Sequence, residues 1–386
     1  MRKQISTSEL QVGMVCFEPI RTPHGQILAP AKTVLTKQLI NKTKLYRVPF
    51  IYIDVEEKKH KPTPNILKPI VNTRPALDPN NTEKKQMTYK EETQSSYRRM
   101  MSSAEFKGFQ VDYMLFLEEL KVVFSKTNSD PDYKIDTKSL VERLASLYRS
   151  RNTIIELFDM INQLHSINDS IYAHCVNVAL ISRMLGRWLH LEQDELDLLT
   201  CCGLLHDIGK IAIPDDILNK PGKLSDEEFA TIKSHTTLGF EMLQHQTIDS
   251  RIKDCVLLHH ERYDGSGYPN GLSESGIPDF AAIVGIADVY DAMTAARSYR
   301  KPLCAFEVID KFERDGYQKY HTKYIHTFLN QIATTYQSNR IMLSDGRSAK
   351  IVMLNQSRLS KPIIQFDSGE CLDLSTKSDL YISKVL

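Results

Sequence analysis

At 386 residues the chain is longer than one ordinary domain, so two or three units are expected. Hydrophobic residues at 41% and charged residues at 25% describe an ordinary soluble globular protein with a core of normal depth. A net charge of +1 supplies no global basic field, which argues against DNA as a partner while leaving room for a local pocket for a small anion.

The N-terminus, MRKQISTSEL, lacks the apolar stretch of a signal peptide, and no apolar run approaches the roughly 20 residues needed to span a bilayer. A cytoplasmic protein without membrane insertion is expected. Residues 1–58 read as a small α+β regulatory module, with short strands at 15–17 and 49–53 and a helix at 35–46. His24, followed by Gly25, reads as a solvated loop residue. Residues 59–102 are rich in Pro, Asn and Lys and read as a linker. Residues 103–165 form a helical connector through VDYMLFLEELKVVF and LVERLASLYRSRNTIIELFDMI. Its apolar spacing is that of plain core leading into the next domain, with a homodimer contact as the alternative. Residues 166–336 are mostly helical, broken by one Gly/Pro loop. Residues 337–386 switch to period two: 341–343, an Asp345-Gly346 turn and 349–354 make a hairpin, and 362–366, 371–374 and 380–383 complete a small β module. The seven cysteines include no C-x-x-C pair and are odd in number, which fits buried free thiols in a reducing compartment.

The chemistry centres on the run LHDIGK at 205–210. Adjacent His206 and Asp207 set a nitrogen ligand beside a carboxylate with lone pairs enough to bridge two cations. The dipeptide alone is a weak signal, but its company is specific. His174 precedes it in YAHCVNVAL, and His235 follows in IKSHTTLGF. His259 and His260 follow in VLLHHERYDGSGYP, and Asp288 in GIADVYDAM. Imidazole and carboxylate together suit Mn(II), Fe(II) or a similar six-coordinate cation. In the loop DGSGYP, the glycines permit close backbone approach to a ligand. Tyr268 there either stacks on a base or anchors the loop. Glu261 and Asp264 either orient ligand histidines or cap the loop. Asp291, one helical turn after Asp288, either orients a ligand histidine or is structural.

The runs HDIGK, HHERYDGSGYP and DVYDAMTAARSYRK, in that order, resemble the HD superfamily of phosphohydrolases and, within it, the HD-GYP family. The resemblance covers residues 166–336. It implies a mainly α protein, with a helical HD-type catalytic domain between the N-terminal α+β and C-terminal β modules. It also implies two or three bound metals and hydrolysis of cyclic di-GMP, or in some members cyclic GMP-AMP. Carried over by position, His174, His206, Asp207 and Asp288 hold one metal. Asp207 bridges to a second, held by His235, His259 and His260, and a hydroxide between the metals attacks phosphorus. Lys210, on the face of Asp207 if the helix continues, is similar to a phosphate-contacting lysine of the family. Arg297 and Arg300 sit at its spacing for phosphate-holding basic residues, and Gly267 and Tyr268 belong to its substrate loop. One departure stands out. Three-metal members carry a glutamate four residues before the first histidine, where this chain has Ser170. Two divalent ions, iron or manganese, are therefore expected. The expected reaction is hydrolysis of a cyclic dinucleotide to a 5′-phosphorylated linear dinucleotide. A general HD nucleotidase and a catalytically weak cyclic-dinucleotide sensor are the alternatives.

Overall fold

The structure, a computed structural model, describes residues 2–7, 10–21, 27–35, 39–40, 43, 48, 50–54, 104–149, 158, 161, 170–220, 222–295 and 302–386. The expected linker at 59–102, His24, Arg297 and Arg300 lie outside the described residues. The chain divides into two compact units, Met1–Leu77 and Asp78–Leu386.

In the first unit β1 (Arg2–Ser6) runs antiparallel to β4 (Phe50–Asp54), with Ile5 opposite Ile51, and β2 (Ile20–Arg21) runs antiparallel to β3 (Ile27–Ala29). The strand expected at 15–17 is reduced to isolated bridges, Val15 to Val34 and Cys16 to Ile53. Strand β1 lacks any clear alternation in RKQIS, and its pairing is supplied by β4, whose Ile51 and Ile53 are buried. Residues 39, 40 and 43 are helical, within the helix expected at 35–46. Leu10, Cys16, Ile20, Leu35 and Ile40 join the same small core.

The second unit is mainly α, as expected. It opens with α1 (Ala104–Ser129) and α2 (Thr137–Arg149). In α2 the buried residues Leu140, Val141, Leu144 and Ala145 fall on one face, so its amphipathic pattern explains how it docks. Helix α3 (Ile171–Trp188) is buried along nearly its whole length, and it packs against α4 (Gln193–Leu205). After a 3₁₀ turn at Ile208–Ala212 come α5 (Asp215–Leu218), α6 (Asp226–Lys233), α7 (His235–Leu243) and α8 (Ser250–Leu258). Helix α9 (Asp279–Thr294) crosses back to α3, followed by α10 (Ala305–Lys319) and α11 (Thr322–Thr335). No helix among the described residues is long and apolar enough to cross a membrane.

The C-terminal strands β5 (Arg340–Leu343), β6 (Ser348–Met353), β7 (Ile363–Phe366), β8 (Cys371–Asp373) and β9 (Ile382–Val385) make one antiparallel sheet in the order β8-β7-β6-β5-β9. Gly346 turns the hairpin at φ 85°, the left-handed conformation the D-G pair anticipates. The last strand starts two residues later than its pattern suggests, because Leu343 pairs with Ile382. Ile341, Leu343, Ile351, Ile364 and Ile382 pack into the same hydrophobic core as the helices.

Candidate metal centre

Helix ends build the centre. Ser170 caps α3, its Oγ accepting from the Ala173 backbone N–H at 3.2 Å, so His174 stands in the first turn. His206 is the last helical residue after α4, and at Asp207 (φ −103°, ψ 12°) the chain leaves the α conformation. His235 is the first residue of α7, and His259 follows the end of α8. Asp288 and Asp291 lie one turn apart on α9.

Three of the histidines share one orienting device. Nδ1 of His206 meets the Gly203 carbonyl at 2.8 Å, that of His235 the Ile232 carbonyl at 2.6 Å, and that of His259 the Val256 carbonyl at 3.0 Å. Each acceptor sits three residues back, in a final helical turn whose carbonyls lack intrahelical partners. Because a carbonyl only accepts, Nδ1 must carry the proton, and each Nε2 lone pair is turned toward the centre. His174 uses a carboxylate for the same purpose: its Nδ1 donates to Asp291 Oδ2 at 2.7 Å.

Asp207 lies at the middle, fully buried. Its Oδ2 is 3.5 Å from His174 Nε2 and 3.3 Å from His206 Nε2, while its Oδ1 is 3.2 Å from His235 Nε2 and 3.8 Å from His259 Nε2. The two oxygens thus face two different sets of nitrogens. The donor atoms of Asp207, His235, His259 and His260 lie within 4.8 Å of one another, and so do those of His174, His206 and Asp207. Asp288 completes the wall, with Oδ1 at 3.0 Å from His174 Nε2 and Oδ2 at 3.7 Å from His260 Nδ1.

The donor set fits divalent cations. His206 Nε2 and Asp207 Oδ1 are buried without a hydrogen-bond partner, an arrangement that is costly unless something electropositive meets them. Nε2 of His235 and Nε2 of His259 approach to 3.5 Å. With both protons on Nδ1, neither nitrogen can donate to the other, and two facing lone pairs suit a shared cation. Electrostatics separate the halves of the site. Burial pushes His259 well below its ordinary value and His260 down to about 3, so both are neutral donors at neutral pH. Burial also opposes charge on His174 and His206. There, however, the carboxylates win: Asp288 and Asp291 push His174 up to about 10, and Asp207 does the same for His206, so a cation taking either Nε2 lone pair would first displace a proton. Burial opposes the charged form of Asp207 too, yet Lys210, His206 and His235 more than offset it and hold the carboxyl well below the usual range.

Lys210 reaches Asp207 Oδ2 at 2.5 Å. The α-helix does not continue to it, contrary to the condition on which its placement rested. The 3₁₀ turn eclipses residues three apart and brings it to the same face. The Lys210, His174 and His260 side chains retain 22%, 15% and 15% exposure, which marks the open side of an otherwise closed centre.

The loop residues divide. Tyr268 stacks on the His260 ring, centroids 4.7 Å apart and planes 28° from parallel. Buried Glu261 forms no ion pair with a candidate ligand histidine. It accepts from the backbone N–H groups of Asn270 at 2.7 Å and Leu272 at 2.9 Å, which selects the loop-cap reading. Asp264 caps locally in the same way, accepting from Ser266 N–H at 3.0 Å. Gly267 runs so close to the Glu261–Arg262 backbone that a Cβ there would overlap it, a packing demand separate from any substrate contact. Asp291 was open between two readings, and its bond to His174 gives it the orienting one. Asp291→Ala is expected to weaken metal affinity by about 10- to 100-fold, and Asp291→Asn by less, in chelator competition. Unchanged affinity in the alanine variant would reduce Asp291 to a structural residue.

Residues 149–323 match the family model described as HD domain. Among curated proteins, a cyclic di-GMP phosphodiesterase of Pseudomonas aeruginosa is 34% identical over 237 residues, 60% of this chain and 56% of that protein. A 3′3′-cGAMP-specific phosphodiesterase of Vibrio cholerae is 31% identical over 229 residues, 55% of this chain and 44% of that protein. A cyclic di-GMP phosphodiesterase of Thermotoga maritima is 36% identical over 179 residues, 46% of this chain and 49% of that protein. The chain spans about half the length of the curated relatives it matches.

Proposed function

Since residues 149–323 match the family model described as HD domain, we propose that the chain is an HD-GYP-type phosphodiesterase that opens a cyclic dinucleotide, cyclic di-GMP or 3′3′-cyclic GMP-AMP, to a 5′-phosphorylated linear dinucleotide. The observation that carries this reading is Asp207, whose two oxygens face two separate groups of imidazole nitrogens. That arrangement suits a pair of divalent ions, iron or manganese, bridged by one carboxylate. Cations held there would lower the pKa of a water and stabilise the attacking and leaving oxygens of an in-line displacement.

The side chains have separate tasks. His174, His206 and Asp288 would hold one cation, and His235, His259 and His260 would hold the other. The Ser170 hydroxyl is engaged in capping α3, which favours two ions over three. Lys210 stands at the open side with its ammonium on Asp207, placed to meet a phosphoryl oxygen of the substrate. Water oxygen adds to phosphorus, the P–O3′ bond breaks, and the 3′ oxygen leaves as a hydroxyl while the 5′-phosphate stays on the product. Relatives of the matching segment include enzymes for both cyclic di-GMP and cyclic GMP-AMP, so both are candidate substrates. The seven free cysteines, most of them buried, fit a cytoplasmic setting.

Product analysis tests the reading. Purified protein loaded with Mn(II) or Fe(II), with metal content measured on the same sample, is expected to convert at least one of the two cyclic dinucleotides to its 5′-phosphorylated linear form. Faster turnover of mononucleotides than of any cyclic dinucleotide would make the chain a general nucleotidase. Tight binding without ring opening would make it a sensor.

A further inference from the structure

Among the described residues, two cations beside the centre are already engaged. Lys210 is bonded to Asp207, and Arg262 donates through Nη1 to the backbone carbonyls of His259 at 3.2 Å and Glu261 at 2.9 Å. Lys233 differs. It ends α6, and among the described residues no carboxylate lies within ion-pair distance of it. Its ammonium lies instead over two aromatic rings, 5.0 Å from the Phe229 centroid and 5.8 Å from that of Tyr268. Phe229 is one helical turn back and 49% exposed, so this pairing stands at the surface. Tyr268 in turn stacks on His260. The ammonium is therefore one ring removed from a candidate metal ligand, beside the open side of the centre.

An ammonium against ring faces is held in place by the ring quadrupoles while its N–H donors stay available. That is a poor use of a lysine for stability and a good one for receiving an anion. A cyclic dinucleotide carries two phosphodiesters, and only one can lie in the metal centre. We propose that Lys233, braced by Phe229 and Tyr268, binds the second phosphodiester of the substrate and so selects cyclic dinucleotides over diesters with a single phosphate. This rests on the cyclic-dinucleotide reading above. It assigns the lysine a binding role and no part in bond breaking.

The test compares wild type, Lys233→Met and Lys233→Arg on cyclic di-GMP, on cyclic GMP-AMP and on bis(4-nitrophenyl) phosphate, which has one phosphate. Lys233→Met is expected to raise KM for the cyclic dinucleotide by about tenfold, as loss of one charge-assisted hydrogen bond would. Its kcat should stay within about twofold, its metal content should match wild type, and its KM for the single-phosphate diester should be unchanged. Lys233→Arg should restore most of the affinity. Because the contact is charged and partly exposed, raising the salt should raise the wild-type KM more steeply than that of the methionine variant. Equal losses on both kinds of diester, a fall in kcat with KM unchanged, or loss of metal would overturn the assignment and place Lys233 behind Tyr268 or His235 instead. If wild type cleaves the single-phosphate diester but neither cyclic dinucleotide, the proposed substrate is wrong and the role of Lys233 falls with it.

Discussion

Asp207→Asn is expected to lower turnover of a cyclic dinucleotide by at least about 1,000-fold, because the substitution removes the one group that both halves of the centre share. Asparagine keeps the volume and one acceptor oxygen but places an N–H₂ where an oxygen faced a set of imidazole nitrogens. One half of the site would then meet a donor in place of a lone pair. Its charge is lost as well, which leaves Lys210 in a nearly closed site without its partner. Metal stoichiometry should distinguish this position from its neighbours. His174→Ala and His259→Ala each remove a ligand from one side only, since the first faces Asp207 Oδ2 and the second Asp207 Oδ1. Each should lose about one ion per chain and retain the other. Asp207→Asn should lose both, by elemental analysis of protein dialysed under identical conditions. Near-wild-type activity in Asp207→Asn would move the active centre elsewhere. Loss of a single ion would show that the carboxylate serves one cation and does not bridge.

The residues of this centre were legible because metal chemistry narrows the residue types so strongly. Histidines at 174, 206, 235, 259 and 260 with aspartates at 207 and 288 can be picked out of a chain by type and order alone, and the fold brings all of them together. Their orientation was not legible. It depends on where α4, α6 and α8 end, since the carbonyls of Gly203, Ile232 and Val256 hold the rings, and helix ends are set by tertiary packing more than by local pattern. Lys210 was placed on the right face through the wrong geometry. A continuing α-helix and a 3₁₀ turn both bring residues three apart together, so the periodicity could not separate them. Glu261 sits beside His260 in sequence and invites a ligand-orienting role, but its carboxylate serves the backbone of residues 270 and 272, a contact set by the path of the loop. Lys233 had no motif to announce it, because its place depends on the ring of Tyr268, thirty-five residues away in sequence. Strand β1 failed for a different reason. A strand pattern works when one face is apolar, and RKQIS has a single apolar residue, Ile5.

The same dependence on backbone packing makes Gly209→Ala the most damaging substitution expected outside the candidate ligands themselves. The run HDIGK shows a glycine there without saying why. Its φ is not in the left-handed region, so conformational freedom is not the reason. The reason is proximity: a Cβ at Gly209 would overlap the carbonyl oxygen of His235 and the amide nitrogen of Gly239, both on α7. Neither is a side-chain tip that can swing aside. The 3₁₀ turn carrying Lys210 and the helix carrying His235 would have to separate by more than about 1 Å to reach an ordinary carbon–oxygen contact. Overpacking of this kind costs roughly 3 kcal/mol, or about 5 °C in Tm for a unit of this size. The separation would also pull His235 Nε2 from its 3.2 Å approach to Asp207 Oδ1, and a misplacement of that size can cost about 100-fold in rate. Gly276→Ala is the matched control, because its Cβ would meet nothing nearer than Leu272 Cβ at 3.7 Å. It should shift neither Tm nor turnover measurably. A Gly209→Ala protein that melts with wild type and keeps its metal and rate would show that the contact between the turn and α7 is looser than the structure gives it, and that His235 is not held in register by this glycine.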